Sequence, residues 1–137
     1  MTFATQDRDT REMSGHRRAF ALEAAAKIYG GSLACVNAGG NLVRGAVATT
    51  LKCVGVAQQT YDNTLGAAGA ISGEVKTGVF GPFANSAAGD LIIPNDIGAD
   101  CFIVDDQTVA KTNGTATRSI AGKVWQVDAS GVWIKFS

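Results

Sequence analysis

From Ala19 onward the chain is built of short apolar runs broken by glycine, asparagine and aspartate. Leu33-Ala-Cys-Val-Asn37 and Asn41-Leu-Val-Arg44 flank Ala38-Gly39-Gly40. Those glycines accept the positive φ that a tight hairpin demands. Lys52-Cys-Val-Gly-Val-Ala57 is a further run of strand length, followed by a loop rich in Asn, Gly and Ala between Tyr61 and Ala70. In Ser72–Phe80 the pattern partly alternates, with Glu74 and Lys76 on one face and Val75 opposite, and Gly81-Pro82-Phe83 is expected to stop that strand. Leu91-Ile-Ile is closed by Pro94-Asn95-Asp96, Cys101-Phe-Ile-Val104 reads as a buried strand, and Thr108-Val-Ala-Lys111 precedes an Asn113-Gly114 turn. Ser119–Asp128 and Val132–Phe136, joined through Ala129-Ser130-Gly131, form the clearest hairpin. The run Phe20–Lys27 has alanine-based helical propensity, but it is short, lacks a clear cap and ends in Ile28-Tyr29-Gly30-Gly31, so extended chain is expected there. Short strands at this spacing predict an all-β fold, a single-domain β-sandwich or barrel over residues 19–137.

Residues 1–18 break the pattern. They carry Asp7, Arg8, Asp9, Arg11, Glu12, Arg17 and Arg18, and after Met1 their only large apolar side chains are Phe3 and Met13. We read them as a flexible N-terminal arm outside the core, since termini rich in polar residues rarely find a place in one. Over all 137 residues, 12 basic side chains balance 12 acidic ones with the sole histidine, His16, neutral. That balance argues against nonspecific binding to nucleic acid or to an anionic membrane, both of which call for a basic excess or stripe. Apolar residues make up 46%, enough for a core and too many for bulk disorder.

No apolar run reaches the ~20 residues of a membrane helix, and the polar start lacks the basic and apolar regions of a signal peptide, so use without secretion is expected. Cys35, Cys53 and Cys101 are odd in number, widely spaced and set among apolar residues, and we read them as buried thiols rather than a disulfide scaffold or zinc knuckle. Catalytic chemistry is hard to assemble. His16 lies in the arm, where nothing holds a general base in place, and the common nucleophile-elbow, zinc-protease, P-loop and dinucleotide motifs are missing. Asp96, Asp100, Asp105 and Asp106 form the densest acidic group, but without the calcium-loop spacing they read as turn aspartates around Cys101–Val104. Neither an enzyme nor a cofactor is expected.

In the last strand, alternation sets Val132 and Ile134 toward the core and Trp133 and Lys135 outward. An exposed Trp133 on a terminal strand suggests contact with another subunit, and Phe136 is a second interface candidate. Trp125 and Trp133 lie near Lys123 and Lys135, but at zero net charge tryptophans in strands read as packing residues rather than as a nucleic-acid platform.

Taken in order, several segments resemble the head decoration, or capsid cement, proteins of tailed bacteriophages. A polar arm leads into Ala24-Ala-Ala-Lys-Ile-Tyr-Gly-Gly-Ser-Leu-Ala-Cys-Val-Asn-Ala-Gly-Gly-Asn-Leu-Val, then come Cys53-Val-Gly-Val-Ala and Val75-Lys-Thr-Gly-Val-Phe. Ile97-Gly-Ala-Asp-Cys-Phe-Ile-Val-Asp-Asp-Gln-Thr-Val and the closing Ala121-Gly-Lys-Val-Trp-Gln-Val-Asp-Ala-Ser-Gly-Val-Trp-Ile-Lys-Phe complete the likeness, from about residue 18 to the C-terminus. The resemblance implies a compact β-fold, usually a homotrimer, on the outer capsid surface at threefold and quasi-threefold positions. It implies binding after shell expansion, with neighbouring major capsid proteins clamped together, and synthesis in the host cytoplasm. It carries no catalytic residues to transfer and names no contact residues. For those, the composition break points to the arm: Phe3 is expected as an anchor, with Arg8, Arg11, Arg17 and Arg18 facing acidic capsid loops. An alternative is a carbohydrate- or host-binding β-module on the same virion, using exposed aromatics such as Trp133.

Overall fold

The computed structural model describes residues 2–13 and 15–137; Met1 and Ser14, both within the expected arm, lie outside the described residues. The strands are β1 (Arg17–Ala21), β2 (Lys27–Ile28), β3 (Leu33–Val36), β4 (Leu42–Arg44), β5 (Lys52–Ala57) and β6 (Tyr61–Asp62), followed by β7 (Ser72–Lys76), β8 (Gly78–Asn85), β9 (Asp100–Ile103), β10 (Thr108–Ala110), β11 (Ile120–Asp128) and β12 (Gly131–Phe136). Two 3-10 turns, Ala88–Asp90 and Pro94–Asp96, are the only helical pieces among the described residues. The fold is all-β, as the strand-and-turn pattern predicts.

The strands divide into a sheet ordered β1-β7-β5-β3-β4, a closed five-stranded barrel ordered β10-β8-β12-β11-β9, and the small pair β2-β6. Within the barrel every pairing is antiparallel except β10 with β8. An isolated parallel bridge from Leu22 to Leu42 draws the two edges of the first sheet together.

Two apolar cores result. The barrel core holds Phe83, Ile92, Cys101, Ile103, Val109, Val124, Val132, Ile134 and Phe136 together with Leu33, Cys35 and Val56 from the sheet. A second core gathers Leu22, Ile28, Ala34, Leu42, Val54, Ala57 and Val75. Side chains of β3 and β5 therefore serve both: Leu33 and Val56 face the barrel while Ala34 and Val54 face the other way. A strand covered on both faces needs apolar residues at every position, which is why these segments read as continuous runs. Buried Asn63 ties the 61–70 loop down, its amide donating to the Glu23 and Ala67 carbonyls at 2.9 and 3.0 Å.

Three expectations need correction. Gly81-Pro82 does not end a strand, because β8 runs through it to Asn85. The register against β12 shifts between Phe80 and Phe83, so Pro82 sits in a bulge, where its missing N–H leaves no ladder position unfilled. Leu91–Ile93 forms no strand; Ile92 instead plugs into the barrel core, its backbone N–H and C=O both held by the Asn85 amide at 2.9 and 2.8 Å. Finally, Arg17 and Arg18 belong to β1, paired with Lys76 and Val75 of β7, so the arm ends before them.

Glycine is required at two close approaches. Gly55, with φ +136°, lies so near the Lys76 carbonyl that a Cβ would collide with it, and Gly131, with φ +140°, meets the Phe83 carbonyl in the same way.

Candidate functional site

The arm is the first place to look. All described residues from Thr2 to Met13 are exposed and outside strands. Phe3 is 80% exposed, and Arg8 and Arg11 face solvent. The arm's root was not legible beforehand: buried Thr77, between β7 and β8, donates its hydroxyl to the Gly15 carbonyl at 2.9 Å and its N–H to the His16 carbonyl at 2.9 Å. A buried hydroxyl and amide aimed at two successive carbonyls fix where the chain leaves the body.

From that root the chain enters β1, an edge strand whose second side has no partner along Arg17–Ala21 among the described residues. Arg17 pairs with Glu74 at 3.0 Å, both side chains largely exposed, so the pair contributes little stability. Arg18 lies over the Phe20 ring, 5.4 Å from its centroid. Of the five arm residues predicted to make contacts, Phe3, Arg8 and Arg11 lie in the exposed arm, whereas Arg17 and Arg18 stand on an open sheet edge beside it.

The aromatic candidates are distributed differently from the expectation. Phe136 is buried in the barrel, with ring centroids 6.1 Å from Phe83 and 6.4 Å from Phe80, so it is a core residue rather than an interface one. Trp133 is half-buried: it lies against Gly81, where a Cβ would come within 3.0 Å of the indole, and its Nε1–H is buried without an acceptor. The exposed tryptophan is Trp125, at 53%. The register of β11 against β12 slips between Val124 and Gln126, and the extra residue at the slip turns outward. Lys135 stands over its ring at 5.7 Å. The segment after exposed Ile97 is tied to the residue before Trp125, since Gly98 donates to the Val124 carbonyl and Val124 to the Ala99 carbonyl. A bulge is invisible to period-two counting, so this surface could not be read from alternation.

The acidic cluster divides between turns and ion pairs, and Asp100 lies in β9 rather than in a turn. Asp96 accepts the Ile93 N–H at 2.9 Å and pairs with Lys111, Asp100 pairs with Lys123 at 2.6 Å, and Asp105 accepts the Gln107 N–H at 2.9 Å. Among the described residues no three His, Cys, Asp or Glu side chains are grouped to hold a metal ion. Asp90 is held below the usual carboxylate range, first by the Thr112 hydroxyl and then by Arg118. An open cleft of about 810 Å³ is lined by Tyr29, Arg44, Asp106 and Gln107 among others.

No protein-family model, curated protein or solved structure matches the chain.

Proposed function

We propose that this chain is a structural virion protein that decorates and stabilises an expanded bacteriophage capsid by bridging major capsid proteins at threefold and quasi-threefold positions. The observation that carries the reading is the exposed arm rooted by Thr77 beside the open edge of β1. A capsid-protein strand added to that edge would gain main-chain hydrogen bonds, while Phe3 and the arginines of the arm supply specificity. Ordering the arm costs conformational entropy, which several such contacts per homotrimer offset through effective concentration. Exposed Trp125 is offered to neighbouring copies.

Heat-melting of expanded, emptied shells tests the reading. Saturating amounts of the protein should raise the temperature at which the shells come apart; shells that melt identically with and without it would remove the proposal.

A second reading is a carbohydrate- or host-binding module on the virion surface. It is favoured by the cleft that puts half-exposed Tyr29 beside Arg44, Asp106 and Gln107, an aromatic face with polar groups around it. Binding to immobilised glycans, lost on Tyr29→Ala and kept without the arm, would favour this reading over decoration.

A further inference from the structure

Among the described residues the three cysteines are all free, and all three touch the barrel core. Their spacing in sequence hides a close relation between two of them. In the regular part of the β3–β5 ladder, Leu33 faces Val56 and Ala34 faces Gly55; continued without a break, that register would put Val54 opposite Cys35. The ladder slips by one residue there, and Cys35 faces Cys53 instead. The slip also reverses sidedness: Val54 turns into the second core, and Cys53 packs against the same core as Cys35. Directly opposed residues of an antiparallel pair have Cβ atoms about 4.5–5.5 Å apart, and a disulfide needs about 3.5–4.5 Å, so little movement separates the two arrangements.

The two thiols are also unequal in access. Cys35 is fully buried, whereas Cys53 is half-buried and lines an open cleft of about 610 Å³ with Lys52, Lys123 and Lys135. The proximity of the two thiols pushes Cys35 above the ordinary thiol range and Cys53 below it. Burial pushes the Cys101 thiol up to about 12.

We propose that Cys35 and Cys53 form an oxidisable pair that closes into a disulfide across the β3–β5 wall between the two cores. With a peroxide as oxidant, the Cys53 sulfur attacks the O–O bond, forming a sulfenic acid and releasing hydroxide, which takes up the thiol proton as water. The Cys35 sulfur then displaces the sulfenic hydroxyl, its own proton leaving in a second water. Two electrons pass from the two sulfurs to one peroxide, and a dithiol reductant reverses the outcome. The bond would pin the ladder at its slip and cross-link residues 18 apart in sequence.

The test uses the full chain, purified reduced and then exposed to a small excess of hydrogen peroxide. Denatured thiol titration should fall from three free thiols to one, the mass should drop by about 2 Da, and non-reducing peptide mapping should join Cys35 to Cys53. The oxidised protein should melt about 10 °C above the reduced form, and added dithiothreitol should abolish the difference. Cys101→Ser should fall from two free thiols to none with the same mass change, bridge and melting shift, while Cys53→Ala should keep its remaining thiols and show no shift. Three free thiols after oxidation, a bridge mapped to Cys101, or sulfinic acid at Cys53 without a bridge would each overturn the proposal. Mapping on the unmutated chain decides the matter even if a variant fails to fold.

Discussion

Phe136→Ala separates a core residue from an interface residue. The ring is 4% exposed and meets Phe83 edge-on and Phe80 at a tilt, closing the barrel where β12 lies against β8. Truncating a buried phenylalanine costs about 3–5 kcal/mol from lost transfer energy and the cavity left behind. The two ring contacts place this site in the upper half of that range, since such pairs add about 0.5–1.5 kcal/mol beyond area. For a chain of this size, a loss of about 4 kcal/mol lowers Tm by roughly 12–20 °C. Urea unfolding followed by tryptophan fluorescence reads the loss directly, as a lower midpoint with an unchanged m-value. The measurement should be repeated over a hundredfold range of protein concentration, because a subunit-interface residue would show its effect through association. A loss below about 1 kcal/mol, or one that disappears as concentration rises, would refute the placement of Phe136 in the barrel core.

The two tryptophans should part company: Trp125→Ala changes stability by less than about 0.5 kcal/mol but weakens self-association in sedimentation velocity. Trp133→Phe, which removes a buried N–H that has no acceptor, leaves stability unchanged or slightly raised in a thermal melt. Gly131→Ala should cost at least about 2 kcal/mol in chemical denaturation because the new Cβ meets the Phe83 carbonyl, whereas Gly40→Ala, also at positive φ but facing open space, should cost only about 1 kcal/mol. The carboxyl of Asp90 has a folded pKa below its unfolded one, so its contribution is present above the unfolded value and is lost as pH falls through the folded value. Asp90→Asn should therefore flatten the acid limb of a stability-against-pH profile and leave the rest of the curve parallel.

Local signals in the chain carried the strands and most turns. The terminal hairpin follows from alternation around Ala129-Ser130-Gly131, and the 33–44 hairpin from its glycines, because both are set by neighbours in sequence. What local reading lost was created by long-range pairing. Trp125 is exposed because β11 bulges against β12, and Pro82 survives within β8 because that strand bulges too. The Cys35–Cys53 relation depends on a third slip, in β5. Two cores sharing β3 and β5 arise because β1 pairs with β7 across more than fifty residues of chain, a choice no window of sequence contains. At the candidate site, the polar composition of the arm was legible in Phe3, Arg8 and Arg11. Its root was not, because Thr77 looks like any polar residue between two strands until the carbonyls of Gly15 and His16 are brought to it.

Attachment through the arm is the central claim, and co-sedimentation with expanded, emptied shells tests it most directly. The full chain should bind saturably, and a chain lacking residues 2–13, with the Thr77-anchored root and β1 intact, should fold normally and bind at least tenfold more weakly. Equal binding by the two chains, or no binding by the full one, would contradict the account.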